Sequence, residues 1–202
     1  DSAGHVYVTG LTTSTNFPTA GSWPYTTYGG GTDDAFVAKI TNNLDGGIAI
    51  SSANGSTTGA SSSTTLSWPH TIGSASNRIL IVGVAIGGSS SPTVSGVTWN
   101  GTALTHVTSG SVNGTNCRAE MWYLLNPAAG TGKTITVTLS ATARFTAGAV
   151  AFAGVHQTTP FGTFASATGN STAPSVNATS AATNVVIDVL AAAGTPTATV
   201  GA

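Results

Sequence analysis

Charged side chains are scarce in this sequence. Only 11 of its 202 residues are charged, five basic and six acidic, and the formal net charge is −1. Soluble domains usually devote about a quarter of their residues to charged side chains. Five dispersed cations are too few to neutralise a nucleic-acid backbone, so nucleic acid is not an expected partner. Because charge is what keeps most domains apart, copies of this chain are expected to repel one another only weakly.

Cysteine and long apolar runs are also lacking. Cys117 is the single cysteine, which excludes an intrachain disulfide. Its expected role is that of a small buried hydrophobe, with an intermolecular bridge as the alternative. No apolar run reaches the length of about 18 residues that a membrane-spanning helix needs, so membrane insertion is not expected.

The spacing of polar side chains indicates no catalytic residues, metal ligands or cofactor site. The four histidines lack metal-ligand spacing and are expected at the surface; they are His5, His70, His106 and His156. Residues 130–134 (Gly-Thr-Gly-Lys-Thr) only partly match a phosphate-binding loop, since an alternating strand pattern follows them instead of a helix. Adjacent Asp33 and Asp34 could bind calcium, although ordinary turn chemistry accounts for them. The chain is therefore not expected to be an enzyme.

The residues that are abundant favour β-structure. Hydrophobic residues make up 40% of the chain; they alternate or form short blocks, which Gly, Pro and Asn interrupt roughly every eight to twelve residues. This pattern predicts an all-β fold, an antiparallel β-sandwich of jelly-roll or immunoglobulin-like type with a short N-terminal β appendage. The appendage is residues 1–45. The sandwich is residues 46–202, and its final strand or strands are expected to be missing.

Individual strands can be predicted from the same pattern. They span residues 5–9, 35–40, 47–52, 64–68, 78–86, 96–99, 103–108, 118–125, 133–140, 145–155, 161–167, 175–179 and 184–191. Asn100-Gly101 predicts a hairpin with a type I′ turn, because both residues readily adopt positive φ. The stretch 79–86 is apolar on both faces of the predicted strand, so it is expected in the middle of the structure. Trp68 and Trp99 share a strand face with apolar neighbours and are predicted to lie in the core.

The first 45 residues resemble a known repeat. They contain the motifs Gly4-His5-Val6-Tyr7-Val8-Thr9-Gly10, Asn16-Phe17-Pro18-Thr19, Tyr28-Gly29-Gly30-Gly31 and Asp34-Ala35-Phe36-Val37-Ala38-Lys39-Ile40. These motifs resemble the SBBP bacterial β-propeller repeat and cover roughly one repeat. The resemblance implies an extracellular bacterial or archaeal protein. A single repeat has no neighbouring blades, so a propeller is not implied.

The remainder is similar to a β-sandwich domain of large secreted bacterial surface proteins of unassigned activity. The similarity rests on Gly96-Val97-Thr98-Trp99-Asn100-Gly101-Thr102-Ala103-Leu104, Trp122-Tyr123-Leu124-Leu125-Asn126-Pro127 and Gly154-Val155-His156-Gln157-Thr158-Thr159-Pro160. In that family more strand sequence follows at the position where this chain stops, which implies that the sandwich is incomplete.

The predicted strand 118–125 carries an unusual polar pair. Strand alternation places Arg118, Glu120 and Trp122 on one face and Ala119, Met121 and Tyr123 on the other. Trp122 could then stand beside an ion pair on an outer face, where an exposed indole could stack on a sugar ring or anchor an interface. Partial burial of Trp122 under a loop is the interpretation that the sequence favours.

Two functions are compatible with these features. The first is a structural subunit of an extracellular filament, surface layer or stalk, in which copies of the chain join by β-strand pairing or strand donation. The expected interface residues, on two strands of the first unit that could be donated to a neighbouring copy, are Val6, Tyr7, Val8, Phe36 and Val37. The second is a carbohydrate-binding or adhesive module of a larger secreted protein, which would bind polysaccharide through Arg118, Glu120 and Trp122.

Overall fold

A computed structural model describes residues 6–12, 34–40, 49–50, 55–88, 92–108, 112–114, 116–170, 175–181 and 184–192. The chain divides into two compact units, Asp1–Gly46 and Gly47–Ala202. Throughout the described ranges the regular structure consists of antiparallel strands, and α-helix is absent. The predicted all-β antiparallel class is therefore confirmed.

The first unit contains one two-stranded antiparallel sheet. Strand β1 (Val6–Thr12) pairs with β2 (Asp34–Ile40), with Val8 opposite Ala38. The two stretches predicted here as strands thus pair with each other. Strand β2 therefore supplies backbone partners along one edge of β1.

The described strands of the second unit form one nine-stranded sheet. They are β3 (Ala49–Ile50), β4 (Ser56–Ile72), β5 (Ile79–Gly87), β6 (Val94–Trp99), β7 (Thr102–Ala103), β8 (Thr105–His106), β9 (Val112–Asn113), β10 (Cys117–Leu125) and β11 (Gly130–Ala153). Predicted strands 133–140 and 145–155 are one continuous strand, β11, and predicted strand 64–68 is part of the much longer β4.

The long strands β4 and β11 bend the sheet into two layers. They pair along most of their length, with register shifts around residues 138–145 of β11. The other edge of β11 pairs with β6 before the bend and with β5 after it. Ser56 and Trp68 lie at opposite ends of β4, where 12 residues of straight strand would hold them about 40 Å apart. Their side chains nevertheless hydrogen-bond at 2.7 Å, so the two halves of the sheet face each other.

The main core lies between these layers. Residues 135, 137 and 139 of β11 point into it from one layer and residues 145, 147, 149 and 151 from the other. Trp68 and Trp99 are 6% and 1% exposed, which confirms their predicted place in the core. Strand β5 is buried on both faces and lies between β10 and β11, as its apolar sequence predicts.

The tight turn between β6 and β7 follows from two residues. Asn100 and Gly101 have φ of 47° and 86°, and Trp99 pairs with Thr102 across the turn. Both angles lie in the left-handed region that a type I′ turn requires. The predicted hairpin is confirmed.

Three predicted strands do not form. Residues 161–167, 175–179 and 184–191 are outside the sheet. Phe161, Phe164, Ile187 and Val189 instead pack on a second hydrophobic cluster at the outer face of β5 and β10. These four side chains bury apolar surface because their segments lie across the face of the sheet. The backbones of those segments therefore have no strand partner among the described residues.

Candidate functional site

The first candidate site surrounds Glu120 on β10. Alternation along β10 places Arg118, Glu120 and Trp122 on one face, as predicted, and the guanidinium Nε of Arg118 donates to Oε1 of Glu120. The indole N–H of Trp122 donates to the other carboxylate oxygen at 3.2 Å. The predicted ion pair is therefore present.

Two further groups reach the same carboxylate from other strands. The backbone N–H of Val94 on β6 donates to Oε1 at 3.1 Å, and Nε2 of His106 on β8 lies 3.3 Å from Oε2. The His106 ring also lies over Trp122, with ring centroids 4.8 Å apart. Because β6 and β10 belong to opposite layers, Glu120 links the two layers of the second unit.

This face of β10 looks inward. Glu120 is 1% exposed and Trp122 is 9% exposed and part of the main core, so the outer-face interpretation of the indole is wrong. Polar residues at alternate positions usually indicate a solvent-facing side. Here the Glu120 carboxylate is satisfied by Arg118 and Trp122 of β10 together with one group each from β6 and β8, which makes its burial tolerable. The structure therefore presents no exposed indole at Trp122 on which a sugar could stack.

A second polar cluster links the ends of β4. Ser56 Oγ accepts the indole N–H of Trp68 and lies 2.8 Å from Nδ1 of His70. His70 is only 3% exposed, and Nε2 of its ring has no hydrogen-bond partner. Burial lowers the pKa of His70 below 6.5, because the charged imidazolium loses its hydration.

The expectation that His70 lies at the surface is wrong, and local sequence did not indicate this cluster. Strand alternation could have indicated the burial of His70, because residues 66, 68, 70 and 72 of β4 share one face and are all buried. The bonding partner could not be found that way, because Ser56 reaches His70 only through the bend. The pair does not make a catalytic site by itself, since the described residues around it supply no carboxylate to orient the ring.

The outer edge of β4 is a long sheet edge without a partner among the described strands. Strand β4 pairs there only with β11, so the backbone N–H and C=O groups on its other side have no strand partner in that part of the chain. None of its 17 residues is Asp, Glu, Lys or Arg. Natural edge strands are commonly protected by charged residues, prolines or bulges. Here Pro69 is the one proline and lies near the C-terminal end of the strand.

Large apolar side chains are exposed in the last described part of the chain, residues 175–181 and 184–192. The large hydrophobic residues exposed in the described part of the chain are Val176, Val185, Val186 and Leu190, between 43% and 58% exposed. Within residues 184–191, Ile187 and Val189 face the second cluster. A methyl group added at Gly83 would come within 2.6 Å of Val189 Cγ2, so Val189 is seated directly on the β5 backbone.

A shallow groove of about 420 Å³ lies beside this segment. Ile187, Asp188 and Val189 line one side, and Gly55, Ser56 and Thr57 line another. Its floor contains small residues of β5 and β11, including Gly83 and Gly148. The groove separates residues 187–189 from the start of β4.

The predicted interface residues on β1 and β2 stay a prediction. The backbones of Val6, Tyr7 and Val8 pair with β2, and those of Phe36 and Val37 pair with β1. Each of these two strands still has one edge without a partner among the described strands of the sheet.

The remaining predicted features form no site within the residues that the structure describes. Asp33 and His5 lie outside the described residues, and the described part of the chain contains no group of three His, Cys, Asp or Glu residues that could hold a metal. Cys117 is half-buried, and its Sγ donates to the carbonyl of Ala191 at 3.3 Å. The described residues also include no helix with the length and apolar character needed to cross a membrane.

Comparisons with known proteins return no similarity. No family model matches the chain, and no significant match is found among curated proteins or among solved structures. The resemblances of the two units therefore stay predictions.

Proposed function

We propose that the chain is a structural subunit of an extracellular assembly whose copies join by β-strand pairing between subunits. The observation that carries this proposal is the outer edge of β4. It is long, unpaired among the described strands and free of charged residues. Such an edge is a template for a strand of another chain.

The composition of the whole chain supports the same conclusion. A net charge of −1 and 11 charged residues in 202 leave little electrostatic repulsion between copies. Self-association through such a surface depends on backbone hydrogen bonds and apolar contacts, which salt screens weakly. The extracellular location rests on the two family resemblances.

Electron microscopy and light scattering of the purified chain test the proposal. Filaments or sheets whose amount is unchanged between about 0.1 M and 1 M salt are expected, because the Debye length falls from about 10 Å to 3 Å without affecting neutral contacts. A chain that stays monomeric at every concentration and salt level would refute the proposal.

A sugar-binding function has less support. The three tryptophans in the described part of the chain are Trp68, Trp99 and Trp122, and all are at most 9% exposed. A monomer whose intrinsic fluorescence responds to polysaccharide would nevertheless favour that function over assembly.

A further inference from the structure

Residues 184–191 have the sequence and geometry of a strand that lacks a partner. The stretch Asn-Val-Val-Ile-Asp-Val-Leu-Ala is rich in the β-branched residues that favour strands. From Val186 onward its side chains alternate: Ile187, Val189 and Ala191 are half-buried, whereas Val186, Asp188 and Leu190 are exposed. No backbone hydrogen bond to another described residue is formed by residues 185–190.

The segment cannot complete its own sheet in this arrangement. Val189 is held on the outer face of β5 over Gly83, so the segment lies above the sheet instead of beside it. The groove described above separates residues 187–189 from Gly55, Ser56 and Thr57 of the same chain. Only two backbone groups of the segment have a partner among the described residues: the N–H of Asn184 donates to Ala181, and the carbonyl of Ala191 accepts from Cys117 Sγ.

The first half of β4 is the better acceptor within that edge. In the second half, Pro69 lacks an N–H, and the N–H and carbonyl of Thr65 are both bonded to the hydroxyl of Ser63. The stretch 56–63 contains no proline, its residues 56–60 pair with β11 in regular register, and it equals the segment in length, at eight residues. It contains no charge that could repel Asp188, the one charged residue of the segment.

We propose that residues 184–191 of one copy pair with the edge of β4, residues 56–63, of a second copy. This inference rests on the proposed function and names its contact. Donor and acceptor are different surfaces of the same chain, so each subunit can give one strand and receive another. A contact of this heterologous kind does not close on itself and extends into a fibre. It also explains why Val186 and Leu190 are exposed in the single chain, since a paired strand would cover them in part.

Single substitutions at exposed positions test the two surfaces separately. Val186→Pro removes an N–H from the donor and opposes strand pairing, whereas Thr168→Pro makes the same change at an exposed position outside the segment. Thr57→Lys places a charge on the proposed acceptor, whereas Thr65→Lys places it on the other half of the same strand. All four positions are exposed, so circular dichroism and the melting temperature should be unchanged.

The decisive experiment mixes the two disabled subunits. Val186→Pro and Thr57→Lys should each stay monomeric at 19.8 kDa, while Thr168→Pro and Thr65→Lys should assemble like the unaltered chain. The Val186→Pro subunit keeps an intact acceptor and the Thr57→Lys subunit an intact donor. Their equimolar mixture should therefore form a dimer of about twice the monomer mass in size-exclusion chromatography with light scattering.

The possible failures are distinguishable. An unaltered chain that never assembles refutes the proposed function together with this contact. Assembly that survives Val186→Pro, or a mixture that yields no dimer, refutes only the contact and leaves assembly through other strands, such as β1 or β2, in place.

Discussion

Replacing Glu120 by Gln should destabilise the second unit far more than the loss of a surface charge would. Each carboxylate oxygen of Glu120 faces two donors: Arg118 and the backbone of Val94 at Oε1, and Trp122 and His106 at Oε2. The amide of Gln has one oxygen and one NH₂ group. In either orientation its NH₂ group opposes two donors, so half of the hydrogen bonds are lost together with the charge.

The size of the effect follows from burial. A hydrogen bond to a charged group contributes about 1.5–3 kcal/mol, and breaking a buried ion pair from one side costs about 3–5 kcal/mol. Glu120 is 1% exposed, but the Arg118 side chain is 18% exposed and can turn toward water. The lower end, about 3 kcal/mol, is therefore expected.

Urea unfolding followed by tryptophan fluorescence measures this loss. With a urea dependence of about 2 kcal/mol/M for a domain of this size, the midpoint should fall by about 1.5 M. Asp188→Asn makes the same acid-to-amide change at an exposed position and should shift stability by less than about 0.5 kcal/mol. If Glu120→Gln also changes the free energy of unfolding by less than about 0.5 kcal/mol, the carboxylate does not hold the layers together and the prediction is refuted.

Three other outcomes are expected. Because burial lowers the pKa of His70, the unfolded chain takes up a proton below pH 6.5 that the folded chain does not. Stability is then retained above that pH and lost as the pH falls below it. The melting temperature between pH 7.5 and 5 should show this loss, which His70→Gln should reduce and His156→Gln, at an exposed position, should not. Ser56→Ala removes the hydroxyl that binds the indole N–H of Trp68 and Nδ1 of His70. Calorimetry should show a loss of about 2 kcal/mol in the free energy of unfolding. Gly83→Ala should displace the segment 184–191 and raise its hydrogen exchange, since the added methyl group has only 2.6 Å of room. Gly96→Ala has open space and should leave that exchange unchanged.

Much of the strand content could be predicted from local pattern. The faces shared with apolar neighbours identified Trp68 and Trp99 as core residues, and the apolar run at 79–86 identified the central strand. Both signals are local, since a strand needs only its own residues to present two faces. The length of β4 was underestimated because its first half is Ser, Thr, Gly and Ala, which carry little alternation in hydropathy.

The candidate site could be predicted only in part. Arg118, Glu120 and Trp122 were correctly placed on one face, but the direction of that face was wrong. Local sequence indicates which residues share a face. It does not indicate whether distant groups such as the N–H of Val94 will satisfy a buried carboxylate.

The sequence by itself determined the all-β class, the Asn100-Gly101 turn and a surface with almost no charge, because these depend on composition and on neighbours along the chain. Tertiary structure decided which polar residues are buried and which strand-like segment stays unpaired. Glu120 and Val94 are 26 residues apart, and Ser56 and His70 are 14 apart. Only the bend of β4 and β11, and the packing of two layers on one another, bring such pairs into contact.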